Sequence, residues 1–473
     1  MSSDIKNNFL QGRRSFLRQA SCAAVGYTTL FSTLNNLKAT NAAAMANSAT
    51  YLGGDYKALI CILNSGGMDS YNMLIPKSDD IYNDYADTRT NLAIPQDDII
   101  GLNPITSDGN DYGLHPSMIK TKDLFDQGKV AFLSNVGSLV EPTTKTDYEQ
   151  GSTDLPLGLF SHSDQQMHWQ TGLPQNRNNI GWGGKLADLI GDMNSNQNIS
   201  MNISLSGNNI YQSGNNTTEY SIHRENGSLG IGGYGTTSVF NTLRSEGIDN
   251  MLDIQYQDVF RKSYLETIKN AKDSHEEFSA AIDAVTPFAE PFEDTIISNS
   301  MHMIAKTIAA RDTLGMSRQI FFVNFGGWDH HDEILERQEL MLTEFDNALN
   351  SFNSAMEELN TSECVTTFNI SEFGRTLTSN GDGTDHAWGG NVLVMGGAVN
   401  GKDIYGMYPS LALDSAQEIG GGVLVPTTSA DEYFAELAQW FGVSNTDLPI
   451  ILPNVGNFYN INGSTPPIGF MNI

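Results

Sequence analysis

The sequence predicts an α/β fold, a mostly parallel sheet flanked by helices with a cap-like insertion. Three features point to it. First, five apolar runs of strand length close at or beside glycine: KALICILNSGG (57–67), VAFLSNVGS (130–138), IFFVNFGG (320–327), TTFNISEFG (366–374) and NVLVMGGAV (391–399). Continuous rather than alternating apolar residues suit strands buried on both faces, as in a parallel sheet. Second, helical stretches separate them, among them SMIKTKDLFDQG (117–128), WGGKLADLIGDM (182–193) and ILERQELMLTEFDNALNSFNSAMEEL (334–359). The last repeats apolar residues at three and four, as a helix laid on a sheet does. Third, residues 200–240 are rich in Gly, Asn, Ser and Thr without helical period, and a long helical region follows at about 251–314. Together they predict an insertion at about 200–314 within a single domain spanning 47–473.

The start of the chain reads differently. Arg13 and Arg14 precede Ser15, Phe16 and Leu17, a weakly apolar run, and small residues from Ala42 to Ala46. That pattern predicts a twin-arginine export signal over 1–46, engaging the twin-arginine export machinery and delivering a periplasmic or secreted product. The apolar part is too short and too rich in Thr, Ser and Gly for a stable membrane span. The net charge of −29 would repel a duplex or an anionic lipid surface, so nucleic acid is excluded as a partner. Cys61 lies within an apolar run and Cys364 just ahead of another, which suits two buried small residues; spacing alone does not pair them.

The ends of the predicted strands carry the chemistry. In a parallel sheet ligands bind beyond the carboxyl ends of the strands. Asp69 follows the first Gly-Gly, where it could project over the sheet or serve a turn. Asp329, His330, His331 and Asp332 follow another Gly-Gly; Asp329 and His331 are the favoured ligands, since adjacent histidines point different ways. Glu372 and Arg375 follow a third strand, and Asp385 and His386 follow the loop Gly381-Asp382-Gly383. Carboxylates and imidazoles brought together in this way are ligands for hard or borderline divalent cations, Zn, Mn, Ca or Mg, as one ion or two. Arg375 beside such an ion would steady a tetrahedral anion. Ser161, His162, Ser163 and Asp164 open a short helix, where free backbone amides stabilise an anion.

With these residues assembled, the chain resembles the domain-of-unknown-function 1501 family, within the alkaline phosphatase and sulfatase superfamily. The resemblance rests on the twin-arginine leader, GGMDSYNMLIP, GLHPSM, GKVAFLSNVG, SHSDQQMHWQTG, GWGGKLAD, GGWDHHDE, SEFGRT and TDHAWGG. It implies an alkaline phosphatase-like sheet, a metal ligand at Asp69, a nucleophile at Ser161 with His162 and Ser163 as alternatives, and a first metal site of Asp329, His331 and His386. The superfamily's second-site Ser-Asp-His-Gly reads Ser371-Glu372-Phe373-Gly374, so Phe373 stands where a histidine ligand is expected. The resemblance therefore implies hydrolysis of a phosphate or sulfate ester, carried by a small anionic molecule or a polymer, with His162 or His115 as proton donor. A binding or structural protein on a degenerate scaffold is the alternative. The cysteine signature of formylglycine sulfatases is absent.

Overall fold

The computed structural model describes residues 56–473; the predicted leader and the residues up to 55 lie outside them. The apolar runs become strands in chain order: β1 Lys57–Leu63, β2 Leu74–Pro76, β3 Ile100–Gly101, β4 Tyr112–Leu114, β5 Val130–Gly137, β6 Asn202–Ser204, β7 Tyr220–Ser221, β8 Arg318–Asn324, β9 Val365–Ile370, β10 Gly390–Gly396, β11 Ile404–Tyr405 and β12 Thr428–Ser429. A 9-stranded sheet runs β11-β5-β10-β9-β1-β8-β6-β7, with β12 also on β5, and β2-β4-β3 form a small antiparallel sheet. The main sheet is mostly parallel. Only β10 opposes its neighbours β5 and β9.

The double-sided burial read from β1 is realised by side-chain alternation. Ala58, Ile60 and Ile62 enter one core with Leu342, Phe345, Leu349 and Phe352 of the helix Ile334–Glu358, while Leu59, Cys61 and Leu63 enter the other. That second core holds Trp182, Leu186 and Leu189 of the helix Trp182–Ile190 and Tyr433, Phe434 and Leu437 of the helix Ala430–Phe441. Each such side chain taken fully from water contributes about 1.5–3 kcal/mol. The result is a mixed α/β molecule whose sheet is covered by helices on both faces. Cys61 is buried and Cys364 half-buried, and both are free.

The stretch expected as an insertion, about 200–314, divides. β6 and β7 extend the main sheet beyond β8 in parallel register, and the helix Ile296–Ala309 is buried against the first core. What stands out from the body is the pair of helices Val239–Leu252 and Val259–Asp283, of which only the second is buried, near its carboxyl end at Ser274, Phe278, Ala281 and Ile282. Among the described residues no helix is long and apolar enough to cross a membrane.

Candidate functional site

The carboxyl ends of β1, β8 and β9 lie side by side, because β1 pairs in parallel with both. β10 adds a fourth segment. Being antiparallel, it delivers its amino end there, so Thr384–Trp388 meets the loops that follow β8 and β9. Arg375 and His386 form an antiparallel bridge, and the Thr376 N–H donates to the Asp385 carbonyl at 2.9 Å.

The glycines are needed for this convergence. Gly66, at φ 122°, lies so close to the backbone of Trp328 and Asp329 that a Cβ would come within 2.3 Å of the Asp329 nitrogen, and a Cβ on Gly67, at φ 82°, would meet the Phe373 ring at 2.3 Å. Only glycine accepts both that conformation and that approach. Ser371 then ties the loops together, its hydroxyl accepting from the Met68 N–H and donating to the Asn64 carbonyl, each at 2.8 Å.

Asp329 is the hub. Its Oδ1 accepts from Arg375 at 2.7 Å and lies 3.0 Å from His331 Nε2 and 3.4 Å from His386 Nε2, while Oδ2 lies 3.4 Å from His162 Nε2. The other nitrogen of each imidazole meets an oxygen: His162 Nδ1 lies 2.8 Å from Glu372 Oε1, His331 Nδ1 3.1 Å from Asp385 Oδ1, and His386 Nδ1 2.8 Å from the Phe160 carbonyl. A carbonyl can only accept, so His386 carries a proton on Nδ1, and its Nε2 faces Asp329. Outer oxygens of this kind orient histidines that hold metals.

Burial raises the cost of charge on Asp329, but the hydrogen bond and the charge of Arg375 outweigh it and hold the carboxyl below its usual range. Burial lowers the pKa of His386, which favours its neutral form. The hydrogen bond to Glu372 raises that of His162. The ligand atoms of His162, Asp329 and His386 all lie within 4.8 Å of one another, close enough to share a metal ion.

Other expected site residues stand elsewhere or in other roles. Asp69 is engaged by another partner: its Oδ2 pairs with Arg89, both side chains buried, and Arg89 also donates to the Thr376 carbonyl. His115 is buried, and that burial pushes its pKa down to about 4, which leaves it neutral beside Asp69 rather than at the cluster. Glu372 Oε1 is committed to the Gly66 N–H, His162 and Gln166 Nε2. Arg375 is fully buried and spends its donors on Asp329, the Gly66 carbonyl and Thr384. Ser161 is the N-cap of the helix His162–Thr171, which closes at Gly172 in the left-handed conformation; its hydroxyl makes no cap bond and lies 3.3 Å from that of Ser163. Phe373 stacks on His386 at 4.7 Å and contacts the His162 ring at 4.9 Å. Gln166, Arg89 and the Phe160 carbonyl went unnoticed in the sequence, since nothing in their spacing marks them as neighbours of the cluster.

A family model described as "Protein of unknown function (DUF1501)" matches residues 56–445. The chain belongs to the DUF1501 family. Among solved structures, this DUF1501 chain is similar to Ps i-CgsB in complex with k-i-k-neocarrahexaose, at 11% identity and TM-score 0.31 over 85% of this chain and 77% of that one. It is also similar to the PsFucS1 sulfatase from Pseudoalteromonas sp., at 10% identity and TM-score 0.33 over 88% and 72%. No curated protein matches the DUF1501 chain.

Proposed function

We propose that this DUF1501 chain is exported by the twin-arginine route and hydrolyses a phosphate or sulfate ester, or a related anionic group, at a site where Asp329, His331 and His386 hold a divalent cation. One observation carries the reading: His331 Nε2 and His386 Nε2 stand 3.3 Å apart, and both face Asp329 Oδ1. Imidazole nitrogens and a carboxylate at such spacing are a donor set for a borderline cation. A cation held there supplies a Lewis acid for the anionic oxygen of the ester.

The rest belongs to the chain. The helix His162–Thr171 begins at this cluster without a side-chain cap, so first-turn amides and the positive end of its dipole favour an anionic group. Ser161 stands at that turn as a candidate nucleophile. Attack by its hydroxyl, whose proton passes to the leaving oxygen, breaks the bond to that oxygen and leaves a covalent ester on Ser161, which water then cleaves to restore the hydroxyl; direct attack by water, its proton likewise passing to the leaving oxygen, gives the same products in one step. Loss of turnover in Ser161→Ala assigns the first course, and retention assigns the second.

The reading is tested by assaying the mature chain, supplied with a divalent cation, on aryl phosphate monoesters, aryl phosphate diesters and aryl sulfates. Turnover that Asp329→Asn and His386→Ala abolish supports it. Silence across the panel, or equal turnover in both variants, overturns it. Phe373 favours a second reading, because an apolar ring packs where the superfamily's second site expects a ligand: a binding protein would retain an anionic ester without cleaving it.

A further inference from the structure

We infer that His162 is a fourth ligand of this centre rather than a proton donor, and that the centre takes one zinc-class ion per chain in preference to Mg²⁺ or Ca²⁺. The inference rests on the proposal that this site holds a cation, and extends it to the make-up of the centre.

The geometry around Asp329 carries it. Three imidazoles approach this carboxylate from three segments of the chain, and each is held from behind by an oxygen on Nδ1. The Nε2 atoms of His162, His331 and His386 stand 3.4, 3.0 and 3.4 Å from its oxygens. A tetrahedral ion with bonds of about 2.0–2.1 Å separates its ligand atoms by roughly 3.3–3.4 Å. The spacings of His331 and His386 from Oδ1, and the 3.3 Å between their Nε2 atoms, are close to three edges of such a tetrahedron, while His162 approaches the other oxygen of the same carboxylate.

His162 is the residue whose role the structure reassigns. Its Nε2 is buried, has no hydrogen-bond partner, and faces Asp329 Oδ2. A proton donor would need that nitrogen open to a leaving group. A ligand needs it hidden among other ligands, with Nδ1 fixed, and Glu372 provides the fixing. Gln166 in turn donates to the same Glu372 oxygen at 2.9 Å, so the helix that starts at His162 braces its own first residue. Asp385, expected as a ligand, becomes the corresponding brace for His331, with Asn380 donating to its Oδ1 at 3.2 Å.

Number and kind of ion follow from the surroundings. Asp69, an expected metal ligand, is already paired with Arg89, and Phe373, which stands where the second site expects a histidine, closes the neighbouring face with an apolar ring. Three nitrogens and one carboxylate suit zinc, cobalt or their neighbours. Ca²⁺ takes six to eight oxygens, and Mg²⁺ keeps an octahedron of oxygens that includes several waters.

The test is a titration of the metal-free chain with Co²⁺, read by visible absorption, followed by calorimetric titration with Zn²⁺, Mg²⁺ and Ca²⁺. One equivalent of Co²⁺ giving the strong visible bands of a four-coordinate site, displaced by Zn²⁺ and not by Mg²⁺ or Ca²⁺, is expected. Glu372→Gln is expected to weaken Zn²⁺ binding roughly 10–100-fold, and His162→Ala at least as much, with altered cobalt bands. Unchanged affinity and bands in His162→Ala overturn the inference, as does Mg²⁺ or Ca²⁺ binding as tightly as Zn²⁺. Should His162→Ala fail to fold, His162→Gln and Glu372→Gln carry the same comparison. Tight Zn²⁺ binding without ester turnover defeats the hydrolase proposal alone; metal-dependent turnover with His162 indifferent to affinity defeats this inference alone.

Discussion

Asp329 keeps its charge because an arginine with no solvent exposure of its own is spent on it. Arg375 reaches the Gly66 carbonyl after β1, Thr384 before β10 and Asp329 after β8, so one guanidinium fixes three loops through its planar fork of donors. Arg375→Lys keeps the charge and loses the fork; lower cation affinity with the fold intact is the expected result, measured by calorimetry beside a thermal melt. Arg89 and Asp69 present the stricter case, since both are buried. Removing one member of a buried pair strands the other, at about 3–5 kcal/mol. Arg89→Ala should therefore lose about that much in urea denaturation, and a loss near zero would show that the pair contributes little. The two aspartates also mark where the sequence stops speaking. Both sit after a strand and a Gly-Gly, which reads as ligand chemistry; which cation faces each depends on a helix twenty positions downstream for Asp69 and on a loop beyond another strand for Asp329, and no local pattern encodes either.

The strands themselves were legible as elements. All five apolar runs became strands within a few residues of their expected bounds, because short runs dominated by apolar residues and closed by glycine suit strands buried on both faces. The direction of β10 was not legible. An apolar run reads the same either way, and the reversal is what carries His386 to the ends of the parallel strands.

On the opposite face of the sheet, the helix Ala430–Phe441 buries Asp431. Burial pushes its carboxyl up to about 8, opposed by Lys185, whose own pKa burial brings down to about 8. The unfolded carboxyl titrates near 3.9, so between about pH 4 and pH 8 the folded chain holds a proton that the unfolded chain releases. That contribution to stability is complete below about pH 4 and is lost as pH rises through the folded value. Asp431→Asn, which imitates the protonated acid, should gain in Tm over the parent as pH goes from about 5 to about 8. Calorimetry that finds a constant gap would assign the proton elsewhere.

At the scale of the molecule, the body and the projecting helix pair differ in kind. In the pair, Val239, Phe240, Val259 and Phe260 are between 75% and 87% exposed, and few apolar contacts hold its outer half. Low local burial predicts early opening. Limited proteolysis should first cut the connection at residues 253–258 and leave the sheet and the Asp329 cluster intact, as mass spectrometry would show; first cuts within the body would contradict it. The sequence marked this stretch as an insertion from composition, yet its flanks joined the sheet and the core, since short strands such as β6 and β7 are too brief to register as apolar runs.

The most direct measurement is the metal content of the mature chain after equilibration with Zn²⁺ and dialysis, taken beside Asp329→Asn. One ion per chain in the parent and none in the variant is the result expected of a single centre built on Asp329. Two ions, no ion, or equal content in the two proteins would contradict it.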